Sequence, residues 1–250
     1  MRRASDYASV SLLVAIAIVA ALAVIGWLAW ADVEQHAPPA APATFSVIPD
    51  AGAAPLARPE RDTTTSGAAA ALVERIVAAR DNEGASFVVV DKVVTTLYVF
   101  HPDGRLAAAT PVLLGSALGD DTVPGIGDRP IADVRPEERT TPAGRYMGEM
   151  GRNMRGEDVV WVDYDAAVSM HRLLTSNAWE RRVERLRSPS PDDNRISYGC
   201  INVPADFYVA RLRPIFLHAR TPIYILPEVR SLDDVFRFDV RVRKGSRQGN

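Results

Sequence analysis

Apolar and alternating segments in the middle of the chain predict a domain built mainly from β-strands. Residues 86–91 and 95–100 are rich in β-branched and aromatic side chains and flank a short connection, so they predict a hairpin. Similar segments predict further strands at 108–114, 145–149, 158–164, 167–171 and 221–226. Glycine and proline turns separate these segments, as is typical of a β-sandwich or barrel. The predicted fold class is therefore mainly β, with α+β character and few helices.

Three segments have helical periodicity instead. Residues 68–80 follow a run of hydroxyl side chains that can cap a helix, and their apolar side chains recur on one face. In residues 178–187, apolar side chains spaced i, i+4 and i+7 among arginines predict an amphipathic surface helix, with Trp179 on its apolar face. A proline begins a third predicted helix, 204–213, because the first helical turn leaves backbone N–H groups unused. Alternation over 235–242 indicates an additional edge strand.

The amino-terminal residues 10–31 form a nearly unbroken apolar run that is long enough to span a membrane as a signal-anchor helix. Arginines before the run and acidic residues after it place residues 1–9 in the cytoplasm and the remaining chain outside, in the periplasm. A cleaved signal peptide is an alternative, because the Ala-Trp-Ala sequence at 29–31 resembles a cleavage site. A buried core helix is the third interpretation. The first two interpretations both export the rest of the chain.

Composition divides the remainder of the chain. Residues 36–61 are rich in proline and alanine, which predicts an extended, semi-rigid tether. We assign residues 32–84 to a linker that includes the predicted helix, 85–228 to a globular domain and 229–250 to a carboxy-terminal extension. The 47% apolar content is ample for a core.

Charge and cysteine content exclude several classes of function. The net charge of −2 gives no indication of nucleic-acid binding, so we predict no nucleic-acid partner. A single cysteine cannot form an intramolecular disulfide or a cysteine-rich zinc site. The glycine-rich loop 115–135 contains Asp120, Asp121 and Asp128, but their spacing is not that of an EF-hand. We therefore predict neither a metal site nor a cofactor.

The one cysteine, Cys200, has an unusual local setting. Gly199 precedes it, Ser197 lies three residues upstream and Asn202 lies two residues downstream. A cysteine reacts as its thiolate, so together with a histidine elsewhere it is a candidate nucleophile. A buried cysteine that acts as a small apolar residue is the alternative. Such a residue needs no adjacent glycine, whereas a sharp turn or the close approach of a ligand does.

The segment Ser197-Tyr198-Gly199-Cys200-Ile201-Asn202 resembles the signature of the L,D-transpeptidase (YkuD-type) catalytic domain. That signature reads Ser/Thr-His-Gly-Cys-hydrophobic-Asn or -Arg, and Tyr198 stands in place of its second histidine. The upstream histidine of the signature corresponds to His171, although the gap from His171 to Ser197 is longer than is usual. Residues 140–146 resemble the Thr-Pro-x-Gly-x-aromatic segment of the same family. The resemblance covers roughly residues 85–228.

The resemblance implies a YkuD-like β-sandwich of mixed sheets and acyl transfer through a cysteine thioester. Cys200 would be the nucleophile and His171 its general base and acid. The backbone N–H groups of Tyr198, Gly199 or Cys200 would hold the oxyanion. The short polar side chains that would shape the site are those of Ser197 and Asn202.

The implied donor is the tetrapeptide stem of peptidoglycan, which would lose D-alanine and then be resolved by an amine from a neighbouring stem. The implied role is cross-linking or remodelling of the cell wall, with consequences for cell shape, and carbapenems would acylate the cysteine. Two alternatives remain open: hydrolysis at the same site, as by a carboxypeptidase or endopeptidase, and a lapsed, membrane-anchored peptidoglycan-binding protein. The extra length before Ser197 leads to the hypothesis that residues 175–194 form a wall or lid of the substrate cleft.

Overall fold

The computed structural model describes residues 64–238, and this part of the chain is mostly β-structure. Eight of its strands form one mixed sheet in the order β3-β2-β1-β10-β5-β6-β7-β9, and the other two, β4 and β8, form a small parallel sheet. The strands are β1 (Phe87–Asp91), β2 (Thr96–Phe100), β3 (Leu106–Pro111), β4 (Leu114–Gly115), β5 (Gly144–Arg152), β6 (Asp158–Asp163), β7 (Val168–Arg172), β8 (Arg195–Ser197), β9 (Ile201–Val203) and β10 (Thr221–Ile225). The predicted mainly β class with mixed sheets is confirmed in this coarse form.

Short helices surround the sheet. The α-helices are α1 (Gly67–Ala79), α2 (Arg182–Arg187), α3 (Ala205–Phe207), α4 (Arg213–Phe216) and α5 (Leu232–Val235), and a π-helical segment, Tyr208–Leu212, joins α3 to α4. Among residues 64–238 no helix is both long and apolar enough to cross a membrane. The predicted membrane segment 10–31 and the tether 36–61 lie outside the described residues.

The predicted hairpin of β1 and β2 is present and lies between two apolar layers. Val88 pairs with Val99 and Val89 with Tyr98 in an antiparallel register. Alternate residues of β1 face opposite layers, and both faces are buried, which explains why its apolar run is unbroken. On one side Val88 belongs to a core that also contains residues of β6, β7, β9 and β10.

Helix α1 covers the other side of the hairpin. The Ser66 hydroxyl caps the helix by accepting a hydrogen bond from the Ala69 N–H at 3.1 Å, and the same hydroxyl donates to the Asp91 carboxylate at 2.5 Å. The cap therefore fixes the start of the helix against the end of β1. The buried face of α1, which packs on Phe87, Val89 and Tyr98, consists of Ala69, Leu72, Val73 and Ile76.

Three local predictions are corrected by the structure. The single strand expected at 108–114 is two strands, β3 and β4, which belong to different sheets. The helix expected at 178–187 is a 3-10 turn followed by α2, because Arg181 between them adopts the left-handed conformation at φ +47°. Trp179, expected on the apolar face of that helix, is 95% exposed. Of the edge strand expected over 235–242, Val235 is the last residue of α5 and 236–238 are irregular, whereas 239–242 lie outside the described residues.

Candidate active site

Parallel pairing of β7 with β9 brings the two halves of the sequence motif together. His171 pairs with Asn202, and Met170 pairs with Ile201. Cys200 directly precedes β9, and the parallel register with β7, about 4.8 Å away, sets it opposite Ser169, two residues before His171. Residues distant in sequence thus meet at one place on the sheet.

The thiol of Cys200 lies beside the imidazole of His171, close enough for each group to shift the pKa of the other. The Nδ1 atom of His171 lies 2.8 Å from the Arg172 carbonyl oxygen. Because a carbonyl only accepts, Nδ1 carries the proton and Nε2 is left to accept from the thiol. The Cys200 sulfur also lies 3.7 Å from the Ser169 hydroxyl and 3.5 Å from the Ala167 carbonyl oxygen.

Each member of the pair favours the charged form of the other. Burial by itself raises the pKa of the Cys200 thiol, but the adjacent imidazole of His171 outweighs it and the pKa is lowered. Burial by itself lowers the pKa of His171, but the adjacent thiol of Cys200 reverses that effect and the pKa is raised. The two opposite shifts favour a thiolate beside an imidazolium, which is the reactive state of a nucleophilic cysteine.

A strained backbone turn at Gly199 sets the orientation of the Cys200 side chain. Gly199 has φ +128°, and a Cβ at this position would lie 2.7 Å from the Thr140 carbonyl oxygen. Thr141 donates its hydroxyl to the Gly199 carbonyl at 2.8 Å, and Ser197 donates its hydroxyl to the Cys200 carbonyl at 2.6 Å. Both the dihedral angle and the close backbone require glycine here.

The hydrogen bonds of this turn narrow the choice of oxyanion donors. The Gly199 N–H donates to the Ser197 hydroxyl at 3.1 Å. Gly199 is therefore engaged within the turn, which leaves the N–H groups of Tyr198 and Cys200 as the candidates among the three that the sequence suggested. Ser197 serves the turn as both acceptor and donor.

Tyr198 faces a loop on one side of the cysteine. Its side chain is 40% exposed, and the Arg139 guanidinium carbon lies 4.0 Å from the centre of its ring. The guanidinium also donates to the Val134 carbonyl, which fixes it over the ring. Tyr198 is thus one half of a cation–π pair beside the cysteine turn.

Residues 175–194, the insertion between β7 and β8, contact the cysteine segment through Arg182. Asn202 is fully buried, and its side-chain oxygen accepts a hydrogen bond of 2.6 Å from the Arg182 guanidinium. The Asn202 amide in turn donates to the Cys200 carbonyl at 3.4 Å. Arg182 is 11% exposed and forms an ion pair with Glu180, and its charge lowers the pKa of His171 in opposition to the effects that raise it.

Sequence reasoning missed Arg182 and Ser169 as neighbours of the cysteine. An arginine on a charged helix is normally solvated, so only the unusual length of the insertion pointed towards Arg182. Ser169 lies two residues before His171 on the same strand, and the strand period of two puts both side chains on one face. That spacing could have identified Ser169.

The acidic loop is held by a buried lysine. The Lys92 ammonium is fully buried and donates to the Asp120 carboxylate at 2.7 Å and to the Thr141 carbonyl at 3.0 Å. Burial by itself raises the pKa of Asp120, but Lys92 and backbone donors lower it to about 2. Through Thr141 this ion pair supports the Gly199 turn. The backbone N–H donors to Asp120 belong to Glu228, Val229 and Arg230.

Comparison with known proteins gives similarity of fold only. The sequence matches no protein-family model, and no curated protein matches it. The catalytic domain of the E. faecium L,D-transpeptidase is 17% identical over 57% of this chain and 98% of that domain, with a TM-score of 0.31. The helical cell shape determining protein Pgp2 from Campylobacter jejuni is 15% identical over 58% of this chain and 49% of that protein, with a TM-score of 0.39.

A third matched structure is the L,D-transpeptidase LdtMt1 in complex with imipenem. It is 17% identical over 57% of this chain and 59% of that chain, with a TM-score of 0.37. This chain thus spans about half of Pgp2 and three-fifths of LdtMt1. At such low identities and scores the likeness assigns no activity, so the functional argument depends on the geometry around Cys200.

Proposed function

We propose that the protein is a cysteine-dependent L,D-transpeptidase that acts on peptidoglycan stem peptides. The observation that carries this proposal is the parallel pairing of β7 with β9, which brings Cys200 beside His171, with the pKa of the thiol lowered and that of the imidazole raised. A cysteine that only fills space needs no base beside it. It also needs neither a turn held by side-chain hydrogen bonds nor an adjacent glycine with positive φ.

The reaction begins with transfer of the Cys200 proton to Nε2 of His171. The thiolate attacks a peptide carbonyl of the stem, and the N–H groups of Tyr198 and Cys200 stabilise the oxyanion, each by about 3–4 kcal/mol. The imidazolium then protonates the leaving amine, D-alanine, and a thioester remains. His171 next takes a proton from the acceptor amine, which attacks the thioester and releases Cys200.

The insertion supplies one wall of the cleft in this proposal. Arg182 contacts the buried Asn202, and Arg185 ties the helix to the preceding turn by donating to the Glu180 carbonyl at 2.9 Å. Residues 175–194 therefore stand beside the cysteine turn, where a bound stem peptide would contact them.

Export is also part of the proposal. The apolar run 10–31 would anchor the protein in the membrane, and the tether 36–61 would give the catalytic domain reach towards the wall in the periplasm. These assignments depend on the sequence pattern alone.

Acylation by a carbapenem tests the site directly. Intact mass spectrometry of the full chain with imipenem should show one added molecule, since the thiolate can attack the β-lactam carbonyl. The adduct should be absent in Cys200→Ala and form more slowly in His171→Ala. An adduct that persists in Cys200→Ala would refute the assigned nucleophile.

Product analysis with a tetrapeptide stem then distinguishes the chemical outcomes. Cross-linked dimers indicate transfer to an amine, and shortened stems indicate hydrolysis. Turnover by neither route, together with full complementation of a deletion strain by Cys200→Ala, would instead indicate a lapsed binding protein.

A further inference from the structure

An aromatic side chain stands next to the nucleophile on the same face of the sheet. Trp161 of β6 pairs directly with Ser169 of β7, so their Cβ atoms lie about 5 Å apart. Ser169 in turn contacts the Cys200 sulfur. The neighbouring residues Val160 and Met170 point into the core on the opposite face. Trp161 thus projects from the site face, one strand away from the residues that surround the thiol.

A glycine lets the indole lie flat on this face. A Cβ at Gly151 of the adjacent strand β5 would lie 2.6 Å from Cδ1 and 2.7 Å from Nε1 of Trp161. Any larger residue at this position would lift the ring away from the sheet. The ring of Tyr164 meets the indole at 62° with the centroids 5.0 Å apart, and Tyr164 is 75% exposed. The Trp161 and Tyr164 rings form a corner, in which the indole lies along the sheet and the phenol stands at an angle to it.

This corner differs from an isolated exposed aromatic residue, which would need no explanation. The two rings meet in the edge-on arrangement that aromatic pairs favour. The corner is also continuous with the proposed cleft, because the turn that follows Tyr164 ends at Ala167, whose carbonyl contacts the Cys200 sulfur. A flat aromatic face suits the C–H-bearing face of a pyranose ring, while the exposed phenol can reach sugar hydroxyls.

We propose that Trp161 and Tyr164 form a subsite for a sugar ring of the glycan strand to which the stem peptide is attached. This inference rests on the proposed function, since the stem peptide in the cleft is what would bring the glycan to this face. The subsite would make the protein select stems that are still attached to glycan over free peptides. An apolar peptide side chain on the same corner is the competing occupant.

Direct binding is the first test. Isothermal titration of the full chain, carrying Cys200→Ala to prevent turnover, with N-acetylglucosamine tetramer should show saturable binding. Trp161→Ala should weaken it about tenfold or more, and Tyr164→Ala should weaken it measurably. Trp179→Ala is the matched control, because Trp179 is 95% exposed on the insertion. Tyr164 lies in an exposed turn, so its variant remains informative if Trp161→Ala proves unstable. Absence of saccharide binding, or equal loss in Trp179→Ala, would overturn the inference.

Turnover is the second test. The ratio of kcat/KM for a disaccharide-tetrapeptide to kcat/KM for the free tetrapeptide should exceed one, and it should fall towards one in both aromatic variants through a higher KM for the glycan-linked substrate. Equal turnover of the two substrates by the unmodified chain would refute the subsite and leave the proposed reaction intact. No turnover of either substrate, with saccharide binding that depends on Trp161, would refute the reaction and support the subsite.

Discussion

Replacement of Arg182 by glutamine should affect both the stability of the domain and the titration of His171. The variant removes the 2.6 Å hydrogen bond to Asn202, whose side chain is fully buried, and leaves Glu180 without its partner. An unsatisfied buried polar group costs about 1–3 kcal/mol. For a domain of this size that corresponds to a fall in Tm of about 2–12 °C. Thermal unfolding followed by circular dichroism measures this effect.

The same variant should raise the pKa of His171. The Arg182 cation disfavours the imidazolium, so its removal makes the protonated form persist to higher pH. The Cε1–H resonance of His171, followed by NMR across pH 5 to 10, reports the titration without any substrate. The alkaline limb of kcat/KM, which reflects loss of the imidazolium, should move in the same direction.

Two further variants test whether the charge of Arg182 is what changes the titration of His171. Arg182→Lys keeps the charge, so it should leave the His171 titration nearly unchanged while it loses part of the stability. Arg185→Gln removes a cation from the same helix that bonds to Glu180 and Asp193 carbonyls rather than to Asn202. If Arg185→Gln shifted the titration as much as Arg182→Gln, or if Arg182→Gln left it unmoved, the electrostatic effect assigned to Arg182 on His171 would be wrong.

Other predictions follow from the turn and from the buried ion pair. Gly199→Ala should slow acylation by imipenem about 100-fold, because relief of the contact with the Thr140 carbonyl must displace the adjacent cysteine; unchanged kinetics would contradict the strained turn. Lys92→Met should destabilise the domain by about 3–5 kcal/mol in chemical denaturation, because it leaves the Asp120 charge buried and unpaired; a loss below about 1 kcal/mol would show that the charge is solvated. Since the pKa of Asp120 is lowered to about 2, its stabilising contribution should be complete above its unfolded value near pH 4 and be lost as the pH falls towards 2; denaturation midpoints over that interval should show a loss that Asp120→Asn abolishes.

The elements that sequence alone predicts well are those whose signal is local. The β1–β2 hairpin is encoded in two β-branched runs, and helix α1 in an apolar stripe after a capping serine. The approach of His171 to Cys200 was expected only from the resemblance to a known signature. Periodicity could not supply it, since parallel pairing of β7 with β9 joins segments that are separated by the whole insertion.

The failures have physical causes of a different kind. The spacing of apolar residues over 178–187 is the same for a continuous helix and for a broken one. It therefore could not predict that Arg181 adopts the left-handed conformation. Lys92 occupies a hairpin connection, where a lysine is normally solvated, yet it is fully buried by a loop that follows much later in the chain. Its partner Asp120 lies in a glycine-rich acidic loop, where a carboxylate is also normally solvated. The burial of both side chains is decided by contacts distant in sequence, which a local pattern does not report.

The buried ion pair ties the timing of catalytic competence to synthesis of the domain. Asp120 is held by backbone groups of residues 228–230, and the Lys92–Asp120 pair supports the cysteine turn through Thr141. A nascent chain that has already produced Cys200 still lacks the donors that immobilise this support. We therefore expect the thiol to acquire its final geometry only after residue 230 has emerged, so that incomplete chains carry Cys200 without the arrangement that the proposed reaction requires.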